Sequence, residues 1–503
     1  MVSIASQPYA DVAETPSAAV YFAGERAYKL KKTVNLGFLD FTSLEARAAA
    51  CARETELNRR FAPDVYLGVA DVRDPSGEIC EHLVVMRRMP AERRLSALVQ
   101  AAAPVDEPVR QVARILAAAH ARAPRSAQIS AEGSADAVLG RWQDNISQTA
   151  VTAGRLIDAH AFTEIDGLVR QFLAGRAPLL QERIDRGRVV DGHGDLLSDD
   201  IYCLDDGPRI LDCLDFDDKL RWLDGVDDAA CLVMDLERLG APNLGRRFAN
   251  WYTEFAGDLP PASLLHHYVA YRAFVRAKIA CIKADEGAIV AGRDARQLAE
   301  LTVQHLRAGV VTLVLVGGYP GTGKTTMADG VGASLGWAVL ASDRIRKELA
   351  GIPADADGRV AFGTGIYSQA WHERTYGELF RRAGELLARG ESVILDASWS
   401  SAELRAAARD LASAEHAHLV ELRCAVAPEV ADQRLLTRPR GPSDAGPEIA
   451  AKLAAAAAPW PEAIAIDTGR HAADAAIAQA LAAIRPHGAE HVWRPTRSLM
   501  APD

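Results

Sequence analysis

No two of the seven cysteines in this sequence are spaced as C-x-x-C, and they scatter from Cys51 to Cys424. That spacing excludes a disulfide framework or a zinc ribbon and fits the reduced thiols of a cytoplasmic protein. Long hydrophobic runs are also missing. The longest apolar stretch, just before residue 317, is far too short to span a bilayer, so no membrane partner is expected. Residues 1–16 carry acids and no apolar run, which predicts no secretory signal there. An excess of positive charge is lacking too: the net charge is −10, which argues against nucleic acid as a general partner.

What is present is a globular composition, 49% hydrophobic and 25% charged. With 503 residues the chain exceeds one core and suggests about three domains of ordinary size.

The most informative stretch runs from Val311 to Thr326. A β-prone apolar run enters a glycine-rich turn, and a helix-compatible segment follows. Gly318, Gly323, Lys324 and Thr325 fit G-x-x-x-x-G-K-[ST] in its strand–loop–helix setting. The residue types follow from phosphate chemistry. Backbone N–H groups can close on a phosphate only where no Cβ intervenes, hence Gly318, Gly321 and Gly323, with Thr322 between them. The helix opening at Lys324-Thr325-Thr326 adds the positive end of its dipole. Lys324 would reach the β/γ-phosphates, and Thr325 would offer its hydroxyl to Mg²⁺. ATP and Mg²⁺ are the expected cofactors.

The first half is organised differently. Residues 18–22 and 26–32 read as a β-hairpin turning at Ala23-Gly24-Glu25. A charged helix over 40–60, opened by Thr42-Ser43, precedes two strands at 65–72 and 81–86. Helical periodicity dominates from 91 to 180, including 109–120 and 161–173. A hairpin over 201–204 and 209–212 follows, then helices over 228–239, 262–284 and 294–308. The segment 286–307 is helical and charged rather than flexible, which predicts two halves that dock closely.

Within this half, His193-Gly-Asp195-Leu-Leu-Ser-Asp-Asp200 and Leu211-Asp212-Cys-Leu-Asp215-Phe resemble the H-x-D-x-x-x-x-N and D-F-G-type motifs of the aminoglycoside phosphotransferase (APH) family of protein-kinase-like small-molecule kinases. The resemblance implies an α+β bilobal kinase domain over 1–300, with a strand-rich lobe at 17–90 and a helical lobe at 91–300. It makes Asp195 the catalytic aspartate that accepts the substrate hydroxyl proton, and Asp200 and Asp215 the metal ligands. Asp215 is preferred to Asp212 because Asp228 then falls at the family's spacing for an aspartate that braces the catalytic loop. Lys29 or Lys31 would bind phosphate. They face the same way on a strand, and Lys31 is favoured. Glu54 is the expected partner, ahead of Glu56. The chain departs from the family in carrying Asp200 for asparagine and in having no glycine-rich lid. The alternative reading makes these aspartates turn and cap residues. Arg272 and Arg276, at i and i+4, would either orient an anionic or polyol substrate or form ion pairs against the acidic lobe.

The second half, 309–490, alternates strand and helix, which predicts an α/β parallel-sheet P-loop NTPase domain. It resembles the P-loop kinases that include gluconate kinases, polynucleotide kinases and zeta-type toxins, often described as ATPases of the AAA type. By that resemblance Asp343 would deprotonate the acceptor hydroxyl, Arg346 would grip the substrate's charged group, and Asp396 would help hold the metal. Asp343 as a helix N-cap is the plainer alternative. Arg434 and Arg438, with Arg440, would form an arginine lid or a solvated basic loop. Residues 491–503 read as a loose tail.

Together these features predict an ATP- and Mg²⁺-dependent phosphotransferase with two kinase-type sites, acting on hydroxyl groups of small molecules such as sugars, sugar acids or amino sugars. Two other readings stay open. One is an ATP-driven regulatory switch with a non-catalytic APH-like binding module; the other is a polynucleotide or nucleotide-sugar kinase.

Overall fold

The computed structural model describes residues 10–15, 17–35, 39–152, 154–288, 290–353, 365–437, 446–469 and 472–484. The expected lid residue Arg438 and the expected loose tail lie outside these residues.

The chain opens with strand β1 (Ala10–Glu14), which no apolar alternation marks in the sequence. β2 (Ala18–Ala23) and β3 (Arg26–Lys31) form the expected hairpin, with Ala23 opposite Arg26. The helix Leu44–Asn58 begins where Ser43 Oγ accepts the amide of Ala46 at 3.1 Å, a cap that satisfies one of the first turn's free donors. β4 (Tyr66–Arg73) and β5 (Ile79–Arg87) complete an antiparallel sheet in the order β1-β2-β3-β5-β4. Cys51 of the helix packs against Tyr66, Val84 and Met86 of the sheet. Helix and sheet therefore move the lysines of β3 and the acids of the helix as one body.

A helical lobe follows. The helices Asp106–Arg122, Ala135–Thr149, Ala159–Gly175, Gly225–Arg238, Pro242–Ala256 and Ala262–Asp285 bury their apolar stripes around Trp142, Phe248 and Phe274. Two short ribbons cross this lobe: β6 (Val189–Asp191) pairs with β9 (Trp222–Asp224), and β7 (Ile201–Leu204) with β8 (Gly207–Ile210). The helix Ala291–Ala308 sends Leu298, Val303 and Leu306 into the same core. The segment between the halves is thus a packed element of the first half.

The second half is a five-stranded parallel sheet in the order β11-β12-β10-β13-β14, from β10 (Thr312–Gly317), β11 (Ala338–Ala341), β12 (Val393–Asp396), β13 (His418–Ala425) and β14 (Ile464–Asp467). All six residues of β10 are buried. Leu313 and Leu315 enter a core with Leu379 and Trp399, while Val314 and Val316 enter another with Met327 and Ile466. Alternate residues of one strand thus serve two cores, as a sheet covered by helices on both faces requires. The molecule is a strand-rich lobe and a helical lobe followed by an α/β domain built on a parallel sheet. The halves dock through Arg176, which donates to the carbonyl of Leu387 at 2.5 Å and to that of Glu415, and through Ser263, whose hydroxyl donates to the Gly390 carbonyl at 2.7 Å. Among the described residues no helix is long and apolar enough to cross a membrane.

Candidate active sites

In the first half the segment His193–Asp200 lies between β6 and β7 and is clamped by one helix. Asp228 of Gly225–Arg238 accepts the amides of His193 (2.6 Å) and Gly194 (2.9 Å), while His120 holds the same carboxylate at 2.9 Å. Burial alone would raise Asp228; the charge and hydrogen bond of His120 outweigh it, and the carboxyl is held low. Seven residues along the same helix, Asp235 accepts both the amide of Ser198 (2.9 Å) and its hydroxyl (2.5 Å). Two turns of one helix therefore fix both ends of the loop that carries Asp195. Gly194 is needed here: its φ is +89°, and a Cβ would meet Arg221 Cγ at 3.1 Å.

The strand-rich lobe supplies the cations. Lys29 Nζ lies 2.8 Å from Glu54 Oε1 and 3.0 Å from Asp212 Oδ1, and Lys31 Nζ lies 2.7 Å from both Glu54 Oε2 and Asp215 Oδ2. Glu54 is buried at 1% side-chain exposure, and the two ammonium groups outweigh that burial to hold its carboxyl below the usual range. Glu56 instead pairs with Arg53 at the surface. Both candidate lysines therefore meet the candidate glutamate, which is a consequence of the period-2 geometry of β3.

Asp215, expected beside Asp200, is held by Lys31, and the carboxylate that crowds Asp200 is Asp212. Asp212 adopts a left-handed φ of +61°, a conformation that aspartate tolerates better than most residues. Burial, then the charges of Asp212 and Asp195, push Asp200 well above the ordinary carboxylate range. Lys29 pulls Asp212 the other way. Asp200, half-buried, and Asp212, exposed, are a crowded carboxylate pair that a divalent cation would relieve, so these residues fit Mg²⁺.

Arg272 and Arg276 both turn into this site. Arg272 donates to Asp227 and to the Gly194 carbonyl, each at 2.7 Å, and Arg276 forms an ion pair with Asp195.

In the second half the three strand ends Gly317, Ala341 and Asp396 adjoin one another at the carboxyl edge. The loop after β10 carries Gly318, Gly321 and Gly323, all with positive φ, and the helix Lys324–Leu335 starts at once. At Gly321 (φ +85°) a Cβ would lie 2.6 Å from the Ala431 carbonyl oxygen, so only glycine lets the loop pass. Thr325 Oγ1 donates to Asp396 Oδ2 at 2.7 Å. Asp396 Oδ1 is buried and accepts no hydrogen bond among the described residues. Burial raises Asp396, and the charge of Lys324 opposes this. An orphaned carboxylate oxygen beside a threonine hydroxyl and a lysine fits a Mg²⁺–nucleotide. Thr322 is buried and donates to the Tyr319 carbonyl at 2.8 Å, while Thr326 faces solvent.

Asp343 sits in the first turn of the helix Ser342–Leu349, after the N-cap Ala341, so it is not the cap. Arg346 donates to it at 2.6 Å and stacks on Tyr367 at 4.9 Å. Arg434 reaches the P-loop: its Nη1 would lie 3.7 Å from a Cβ on Gly323, and its Nη2 donates to the Thr468 carbonyl at 2.8 Å.

Sequence reasoning passed over Thr468, Asn58 and Asp235. Thr468 Oγ1 donates to the Thr322 carbonyl at 2.6 Å, and Asn58 Oδ1 accepts the Cys213 amide at 2.8 Å. Thr468 at a strand's carboxyl end was the one with a positional signal; the other two lie inside helices and carry none.

Residues 313–459 match the family described as an AAA domain. The chain is 43% identical over 465 residues, 92% of its own length and 93% of the other's, to uncharacterized protein Rv2004c of Mycobacterium tuberculosis (strain ATCC 25618 / H37Rv). Among solved structures, a GDP complex of aminoglycoside 2'-phosphotransferase-IIIa is 16% identical at a TM-score of 0.32, over 60% of this chain and 94% of that one. A gluconokinase from Sinorhizobium meliloti 1021 is 17% identical at a TM-score of 0.25, over 35% of this chain and 91% of that one.

Proposed function

Starting from the membership of this chain in the family of the mycobacterial protein Rv2004c, we propose that it is a bifunctional ATP- and Mg²⁺-dependent kinase. Residues 1–300 form one phosphotransferase unit and residues 309–490 the other, each acting on a hydroxyl of a small molecule. The observation that carries the reading is the grip of Glu54 on both Lys29 and Lys31, which reach on to Asp212 and Asp215, the lysine–glutamate pair expected of a phosphoryl-transfer site.

When bound, ATP supplies the transferred phosphoryl group and Mg²⁺ neutralises its charge. In the first half Lys31, oriented by Glu54, binds phosphate oxygens, Asp200 and Asp212 hold the metal, and Asp195 takes the proton of the acceptor hydroxyl. Asp215 orients Lys31. Arg276, on Asp195 before the acceptor arrives, positions that carboxylate. In the second half the amides of the 318–323 loop and Lys324 bind phosphates, Thr325 and Asp396 hold the metal, Asp343 takes the acceptor proton, and Arg346 and Arg434 grip charge on either side. Such catalysis is positioning and electrostatics, which is what these mutually fixed charged groups provide. The seven free cysteines support a cytoplasmic setting.

One observation favours a second reading, an ATP-driven switch with a non-catalytic first half: Arg276 occupies the carboxylate of Asp195. Calorimetric titration with Mg–ATP separates nucleotide-binding sites from turnover. Two nucleotides per chain, falling to one in Lys324→Ala and to one in Lys31→Met, support two kinase-type sites. One nucleotide per chain, lost with Lys324 alone, removes the first site.

A further inference from the structure

Arg272 and Arg276 stand one turn apart on the helix Ala262–Asp285, and the fold uses them differently. Arg272 is buried and holds the loop, donating to Asp227 and to the Gly194 carbonyl, each at 2.7 Å. Arg276 keeps 21% of its side chain exposed, and among the described residues its hydrogen-bond partner is Oδ1 of Asp195. A guanidinium carries five N–H donors in a planar fork. None of those on Arg276 is a buried orphan, so the donors that Asp195 leaves over are open to solvent.

Asp195 is divided in the same way. Its side chain is 39% exposed. Oδ1 takes Arg276 and lies 4.0 Å from the Cys231 sulfur, whereas Oδ2 accepts no hydrogen bond among the described residues and is not buried. One oxygen is held while the other is free for a hydroxyl proton, and a group next to that hydroxyl meets the open donors of Arg276. Apart from Asp195 itself, the acids of this lobe nearby are already matched. Asp227 takes Arg272, and Asp235 takes Arg238 at 2.7 Å and both donors of Ser198.

We infer that the first half acts on an anionic acceptor, a hydroxy acid whose carboxylate lies on the free donors of Arg276 while a neighbouring hydroxyl lies on Asp195 Oδ2. The inference rests on the kinase reading of the first half and names the acceptor class of that site. In transfer the acceptor oxygen bonds to the γ-phosphorus, its proton passes to Asp195, and ADP leaves with the bridging oxygen. A carboxylate beside the hydroxyl gains charge-assisted hydrogen bonds from Arg276, and a neutral group gains weaker ones. An ammonium in the same place is repelled, so amino alcohols and amino sugars are poor acceptors here.

The test uses the full chain carrying Lys324→Ala, which silences the second half, and two matched series of probes. These are glycerate, glycerol and serinol, and gluconate, glucitol and glucosamine. Calorimetric titration to about 10 mM with Mg–ADP present reads binding, a range in which even a millimolar site fills. ADP release from Mg–ATP reads transfer. In at least one series the acid is expected to bind at least about tenfold tighter than the neutral member, with the amine weakest. Arg276→Gln in the same background is expected to abolish that preference, and Arg276→Lys, which keeps the charge, to retain part of it. A neutral or amine member that matches the acid in both series overturns the inference, and if it also releases ADP the kinase reading stands without it. An acid preference that Arg276→Gln leaves intact overturns the inference too, as does no acid binding in either series. Acid binding that needs Arg276 but releases no ADP upholds the carboxylate site and removes phosphoryl transfer from the first half.

Discussion

The ammonium group of Lys31 lies 2.7 Å from Oε2 of Glu54, while Lys29, two residues earlier on the same strand, lies 2.8 Å from Oε1. One carboxylate thus orders two cations, but their second partners differ. Lys31 continues to Asp215, and Lys29 to Asp212, the acid beside Asp200. If Lys31 is the phosphate ligand, Lys31→Met lowers kcat/KM for ATP at the first site by about 10²-fold, the scale of removing one preorganised charge. Lys29→Met then costs less. Steady-state kinetics on both variants decide it, and the opposite ranking reassigns the role.

Thr325 donates to Asp396 at 2.7 Å and leaves the other carboxylate oxygen free. Thr325→Ala is expected to raise the Mg²⁺ concentration needed for half-maximal turnover at the second site by about tenfold or more. A Mg²⁺ titration of activity at saturating ATP reads this directly. An unchanged requirement removes Thr325 from the metal site.

Gly321→Ala places a Cβ 2.6 Å from the Ala431 carbonyl in a φ of +85°. Both the clash and the backbone strain oppose folding of the loop, at about 1–3 kcal/mol for the strain alone. Thermal melting should show this loss, and nucleotide binding at the second site should fall with it. Wild-type binding would mean that the loop does not cradle phosphate.

His267 gives a pH dependence with a defined sign. Its folded pKa of about 3 lies below the ordinary value of 6.5, so between these values the unfolded chain takes a proton that the folded chain refuses. Stability therefore falls as pH drops through that window, by up to about 1.4 kcal/mol per unit. From about pH 7 to pH 5 the wild type should lose about 2 kcal/mol more than His267→Phe. Denaturant melts at both pH values measure the difference, and parallel losses would place His267 in a solvated setting.

Much of this was legible beforehand. The glycine-rich loop, the hairpin of β2 and β3 and the five parallel strands follow from local pattern. Glu54 was separable from Glu56 because helix position decides which side faces the sheet. That Asp215 pairs with Lys31 while Asp212, at a positive φ, acts on Asp200 was not legible, because sequence spacing does not encode that backbone state. Asp235, Thr468 and Arg176 make their decisive contacts with residues 37, 146 and more than 200 positions away, so no local window contains both partners. β1 escaped notice because an edge strand exposed over residues 11–14 has no buried face there to impose alternation.

The most direct test of two kinases in one chain is ADP release by Lys324→Ala and Asp195→Ala proteins, measured against sugars, sugar acids, amino sugars and nucleosides. The account predicts separate acceptors, one lost with Asp195 and another with Lys324. Turnover that ignores every acceptor and disappears with Lys324 alone would contradict it and leave an ATP-driven switch.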